Sequence, residues 1–341
     1  MNKDKVVIYL LGYTLKHSYN SCYWPWLRFK AVFDHLGYEC YWVEKEDIKE
    51  HPGKRRIFIT WCEPDTSILI NDGIYNSEDI ILHKLVLFGN YDSNQNWGTT
   101  VEETTDYLKN FRWSQHKLLE DAYDAGANIY GFGAKTEHIG FGEKERIVEK
   151  LKDRIFGIPW GSSLYSWDEI QNCQPIIKDL THDIAWVGSI WGKPGRGNMD
   201  SYESFLKPLF DSTPNLNLAG EGTQKGIVDN DTHKTILKSG KLCPIINAPV
   251  WRIEQGVMDR FWTVFTTGRF GVVDTKGVYK FFNEDEVICS ENPEEYLDLS
   301  KYYMKNVDKQ IPYIQKIQKR IKEEYNWYTS WKNILNQVIK D

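Results

Sequence analysis

Short runs of continuous apolar residues, each followed by a segment with helical spacing, recur through the chain, and few folds accommodate that alternation. VVIYLLGY (6–13) is the first, apolar without a break and stopped by Gly12, which is the pattern of a strand covered on both faces. WPWLRFKAVFDHLGY follows, with Trp26, Phe29, Val32, Phe33 and Leu36 at helical spacing and Gly37 as a stop. ECYWVEKEDI, RIFITWCEP (56–64), IILHKLVLFG (80–89), ANIYGFG (127–133) and RIFGIP (154–159) read as further strands, and FRWSQHKLLEDAYDAG as a helix. Around 160–182 the text turns mixed and Pro-punctuated, as a linker does.

The alternation then restarts. DIAWVGS (183–189), LNLAGEG (216–222), KLCPIIN and RFGVVD are expected strands, with KFF and VICS as shorter ones; DSYESFLKPLFDS, HKTILKSG and GVMDRFWTVFTTG are the helices between. The tail predicts two helices, NPEEYLDLSKYYMKN and one long segment from IPYIQ to NQVI. No hairpin turn separates the strands, so the fold class is α/β, with parallel sheets covered by helices on both faces. A length of 341 residues suits two such halves joined near 165–180. Ligands of open α/β sheets bind at the carboxyl ends of the strands, so two halves face to face would form a cleft there.

A net charge of −6 argues against a non-specific polyanion binder, and no nucleic-acid partner is expected. No window approaches the run of about 20 apolar residues that a transmembrane helix needs. The start, MNKDKVVIYLLGY, reads as a first strand and not as a signal peptide. The six cysteines are scattered, without metal-ligand spacing, and read as reduced core thiols of a cytoplasmic protein. Trp24, Trp26, Trp61 and Trp97 suit core packing before sugar stacking.

Three stretches carry candidate chemistry. WVGSIWGKPGRGN (186–198) follows the first strand of the second half: Gly188, Gly192, Gly195 and Gly197 allow close backbone approach, and Lys193 and Arg196 add positive charge, as a phosphate loop requires. A flexible surface loop is the other reading. LNLAGEGTQKG (216–226) has G-x-G-x-x-x-G spacing, one residue longer than the dinucleotide fingerprint, and reads as a tight turn. In CPIINAPVWRIEQGVMDRFWTVFTTGRFGVVD (243–274), Asn247, Arg252, Gln255 and Gly256 precede a helix that opens with Asp259 and Arg260. Free amides and the helix dipole favour an anion there, and Arg252 or Arg260 adds bidentate contacts to a diphosphate. The alternative is an Asp259 cap with Arg260 paired to a nearby carboxylate.

Arg260 to Gly268 and on to Asp274 resembles the R-x-F-E-x-x-x-x-G-x-x-x-x-x-D stretch of CgeB-like (group 1-type) glycosyltransferases of the GT-B fold. IINAP (245–249) is similar to the strand ending in L-N that precedes that family's donor helix, and the resemblance continues to EYNWYTSWKNIL near the end. Thr263 stands where the family usually has Glu, and Tyr325 and Ser330 replace the His and Arg of the tail motif.

The resemblance implies a GT-B fold: two Rossmann-like domains facing across a cleft, 1–165 for the acceptor and 181–318 for the donor, joined by 166–180, with 319–341 packing back on the first domain. It implies transfer of a sugar from a nucleotide-diphosphate donor to a hydroxyl of a glycan or glycoconjugate, with Gly188, Ser189, Lys193, Asn247, Arg252, Gln255, Gly256, Arg260 and Thr263 around the donor. The acceptor base is sought on loops after strands of the first half: His17, Glu63, Asp65, Asp92, Glu137 or His138, with Asp65 first and His17 second. Acidic runs read as solvated turns, so neither a metal nor another cofactor is expected, since arginine, lysine and helix dipole can stabilise a leaving diphosphate. Two other readings stay open: a nucleotide-sugar epimerase or hydrolase of related fold, and a non-catalytic glycan-binding protein.

Overall fold

A computed structural model describes residues 3–12, 23–60, 66, 69–84, 120–133, 150–159, 161–190, 192–193, 196–248, 252 and 256–339. The chain divides into two compact units, each with its own parallel sheet. One unit runs to Pro159 and takes the chain back from Trp327; Trp160–Asn326 belong to the other.

The first unit holds a six-stranded sheet in the order β2-β1-β3-β4-β5-β6, parallel throughout. Its strands are β1 (Val6–Leu11), β2 (Glu39–Trp42), β3 (Arg55–Thr60), β4 (Ile80–Lys84), β5 (Ile129–Gly133) and β6 (Ile155–Gly157). All six residues of β1 are buried, which explains why it reads as an unbroken apolar run. Helix α1 (Tyr23–His35) turns Trp26, Phe29, Val32 and Phe33 inward. It meets the last helix, whose Trp331 ring lies edge-on to Phe29, Phe33 and Phe132 at centroid distances of 5.1, 5.1 and 5.0 Å. The C-terminal helix is therefore part of this unit's core, and Trp26 is a core residue as its spacing indicates.

The second unit is built on a three-stranded parallel sheet, β10-β7-β11. Its elements are α2 (Trp167–Asn172), β7 (His182–Val187), the short strands β8 (Gly192–Lys193) and β9 (Arg196–Gly197), and α3 (Met199–Ser201). A π-helical turn (Tyr202–Leu206) leads from there into α4 (Lys207–Asp211). Then come β10 (Leu216–Ala219), α5 (Asn230–Ser239), β11 (Gly240–Leu242), α6 (Asp259–Thr266), α7 (Pro293–Lys305) and α8 (Ile311–Glu323); the last helix of the first unit is α9 (Trp327–Val338).

Three expectations need correction. KLCPIIN and RFGVVD do not form full strands: β11 stops at Leu242, ahead of Pro244, which has no N–H for a ladder, and pairing resumes as isolated parallel bridges from Val273 to Ile245 and Cys289. KFF is not a strand, because Lys276–Lys280 coil into a 3-10 helix capped by Thr275. The long tail helix is two: Asn326 turns its amide onto the carbonyls of Ile321 and Lys322 and ends α8 three residues before α9 begins.

Gly268 closes α6 with φ 85°, and a Cβ there would overlap the carbonyl oxygen of Gln174. The Gly268 carbonyl in turn accepts from Ile176 N–H at 2.9 Å. Gly268→Ala is expected to destabilise the protein by about 1–3 kcal/mol or more, seen as a lowered urea midpoint with an unchanged slope. A midpoint equal to wild type would show that the 174–176 segment moves aside freely.

Candidate functional site

The carboxyl ends of β7 and β10 meet with almost no space between them. Gly188 N–H donates to Ala219 C=O at 2.9 Å, and Gly220, at φ 116°, lies so close that a Cβ on it would overlap the Gly188 carbonyl. Ile190 N–H bonds Glu221 C=O at 2.9 Å, and Asn198 Nδ2 donates to Ser189 C=O at 2.6 Å. The 220–226 turn is closed on itself by Gly220 N–H to Gly226 C=O and by the Thr223 hydroxyl to Gly220 C=O. The glycines thus let two chain segments cross at the sheet's end, where α/β folds receive ligands.

Arg260, from the first turn of α6, reaches back to this crossing. Its guanidinium carbon lies 4.6 Å from the centre of the Trp186 ring, a cation–π stack on the second-to-last residue of β7. A Cβ on Gly188 would overlap Nη2, so only glycine at 188 admits this placement. Nη1 is buried and has no hydrogen-bond partner among the described residues. Burial holds the guanidinium pKa down to about 10, against the pull of Asp274, Tyr296 and Asp259. His233 of α5 faces the same charge: burial, and then the nearby Arg260, push its imidazole down to about 3, so it is neutral at physiological pH.

The other residues of α6 explain its unusual composition. Asp259, Thr263 and Thr267 fall at i, i+4 and i+8, one line along the helix. Asp259 accepts from Ser163 N–H at 2.8 Å and from its hydroxyl at 3.0 Å; Thr263 bonds Ser162 at 2.7 Å; Thr267 bonds the Tyr165 hydroxyl at 2.6 Å. That face fastens the 162–165 segment. Arg269, buried just beyond, donates to the carbonyls of Ile176 and Lys241.

Asp274, with no exposed surface, holds the loop after β11. Its oxygens accept from Asn247 N–H at 2.9 Å and from Asn247 Nδ2 at 2.7 Å, while Arg252 Nε stands 3.8 Å away. The Arg252 guanidinium also lies over the Phe205 ring at 4.7 Å. Burial raises both Asp259 and Asp274 to about 6.

Of the sequence candidates, Gly188, Ser189, Asn247, Arg252 and Arg260 are drawn together in the second unit by these contacts. Gly256 lies half-buried just ahead of α6. Lys193 pairs with Arg196 in the β8–β9 ladder. Thr263 is buried, with its hydroxyl engaged by Ser162. Gln255, His17, Glu63, Asp65, Asp92, Glu137 and His138 lie outside the described residues, as do Trp61 and Trp97. Trp186, His233 and Asp274 were not among the expected site residues. Trp186 and His233 carry no motif, and only Asp274 had a signal, its fixed spacing from Arg260 in the resemblance.

Residues 196–336 match the sequence profile of a family described as glycosyl transferase-like. No curated protein matches the chain. Among solved structures, the chain is similar to the β-glucosyltransferase of phage T4 in complex with its UDP-glucose substrate: 12% identity, 97% of this chain and 99% of that one, TM-score 0.51. It is also similar to a putative UDP-N-acetylglucosamine 2-epimerase from Listeria monocytogenes, at 12% identity over 98% and 95%, TM-score 0.52. What this likeness establishes is the fold, which is GT-B: two Rossmann-like parallel-sheet units, with a glycosyltransferase-like region over most of the second.

The two raised carboxyls set a pH dependence. Unfolded Asp titrates at about 3.9, so folding takes up protons between roughly pH 4 and 6. The contribution of these groups to stability is greatest below that window and declines as pH rises through about 6. Asp259→Asn removes one such group, and the fall in unfolding free energy between about pH 4 and 6 should become shallower than in wild type. An identical slope would contradict burial of an ionising Asp259.

Proposed function

We propose that this chain is a nucleotide-sugar-dependent glycosyltransferase of the CgeB-like kind, transferring a sugar to a hydroxyl of a glycan or glycoconjugate in the cytoplasm. The observation that carries the reading is the Arg260 guanidinium at the carboxyl end of β7, with a buried nitrogen for which the described residues offer no acceptor. A buried cation with an unmet donor is a seat for an anion, and the leaving diphosphate of a nucleotide sugar supplies one. The T4 enzyme of the same fold takes UDP-glucose, and the profile matching 196–336 is that of a glycosyltransferase-like family; both support a donor of this class.

In this reading the acceptor hydroxyl oxygen attacks the anomeric carbon as the bond from that carbon to the diphosphate breaks. The electron pair leaves with the diphosphate, where Arg260, Arg252, Lys193 and the Ser189 amide take up the charge, with Gly188 allowing the close approach. Asn247, Gln255 and Gly256 complete the donor loop. If the transfer inverts the sugar, the hydroxyl proton passes to a base, which we assign to Asp65 and, after it, to His17. Neutral His233 adds no competing charge beside Arg260. Thr263 contributes to the donor site by holding α6 in place.

A thermal-shift panel of UDP, GDP, CDP and dTDP with their sugars is expected to raise the melting temperature for at least one nucleotide. Arg260→Ala, and Gly188→Ala through displacement of the guanidinium, should each abolish that shift while leaving a folded protein. Failure of every nucleotide to bind would end the donor reading. Rapid epimerisation of a nucleotide sugar without acceptor would replace transfer by the chemistry named for the Listeria protein.

A further inference from the structure

Asp274 is out of place for a residue beside an anion seat. A carboxylate there repels an incoming phosphate, so it is tolerable only if it contributes something else. Its contacts show what that is. Asn247, just past β11, gives both its backbone N–H and its amide to the two oxygens, and its own carbonyl accepts from Ser201 at 2.7 Å. Arg252, five residues on, brings Nε to within 3.8 Å of the same carboxylate. One buried group therefore ties the loop at Asn247 and again at Arg252. Arg260 lies within electrostatic reach of it from α6, Tyr296 from α7, and Cys289 from the chain paired with Val273.

The two arginines are set up alike. Each guanidinium is backed by an aromatic ring, Arg252 by Phe205 at 4.7 Å and Arg260 by Trp186 at 4.6 Å, and Asp274 stands 3.8 Å from Arg252 Nε and within electrostatic reach of Arg260. Engaging Arg252 through Nε leaves its two terminal nitrogens as a fork, and no hydrogen bond from the described residues takes them up. Free arginine side chains lose rotamer entropy on being ordered, and here that ordering precedes the ligand.

We propose that Asp274 is a positioning residue that aligns Arg252, so that Arg252 and the ring-stacked Arg260 form a paired seat for one diphosphate. This deepens the donor reading given above and rests on it. Two guanidinium groups, Arg252 held beside the carboxylate and Arg260 stacked on Trp186, match two linked phosphates, whereas a monophosphate engages one of them. Asp274 touches no substrate in this scheme; it acts through Arg252 and through the Asn247 loop.

The test is calorimetric binding of UDP, GDP, CDP and dTDP, and of the matching monophosphates, to wild type, Asp274→Asn, Arg252→Ala and the double variant. Wild type is expected to prefer the diphosphate. Each single substitution should weaken diphosphate binding by roughly tenfold to a hundredfold and leave monophosphate binding nearly unchanged. The double variant should bind no more weakly than either single one, because both remove the same contact. Wild-type affinity in Asp274→Asn, or effects that multiply in the double variant, would overturn the proposal. If Asp274→Asn does not fold, Asn247→Ala keeps the carboxylate and loosens the loop; it should lose the preference for diphosphate, and retention of that preference is an equally decisive refutation. No binding of any diphosphate to wild type would instead remove the donor reading itself, and the paired seat with it.

Discussion

Arg260 brings a permanent positive charge into the second unit and leaves one nitrogen there without an acceptor among the described residues. Guanidinium cannot escape burial by losing its proton near neutral pH, so its surroundings must adapt. Trp186 provides a flat face, Gly188 gives up its side chain, and Gly220 adopts a left-handed backbone that packs against Gly188. His233 stays neutral beside it. Asp259 and Asp274 supply negative charge from two sides without closing on the guanidinium. The sheet end is thus shaped around a charge that lacks its counterpart.

Helix α6 serves two purposes at once, and this explains a composition that a core helix would not need. One line of side chains, Asp259, Thr263 and Thr267, fastens the 162–165 segment through short hydrogen bonds. Arg260 points instead toward β7. Because the same short helix carries both, the position of the guanidinium depends on how firmly that segment is held. Asp274 extends the arrangement to the loop after β11, so that three separate stretches of chain are fixed relative to Arg260.

The α/β architecture was legible because parallel strands buried on both faces leave continuous apolar runs, as in β1 and β3. Pairing at the edge of the second sheet was not: 269–274 has the composition of a strand, but Pro244 interrupts its partner and leaves bridges. The break between α8 and α9 depends on the Asn326 side chain finding two carbonyls, which periodicity does not encode. In the site, the arginines were legible as charges at a helix start, while Thr263 was not legible as a tie to Ser162, because its partner is 101 residues away in sequence. Trp186 and His233 carry no local signal, since they matter only through Arg260.

The most direct measurement is a crystal structure of the protein with a bound nucleoside diphosphate. The account predicts density for the diphosphate at the carboxyl ends of β7 and β10, with an oxygen within hydrogen-bond distance of Arg260 Nη1 and the guanidinium still stacked on Trp186. A nucleotide bound elsewhere, or an Arg260 that keeps its unpartnered nitrogen while the ligand is present, would contradict it.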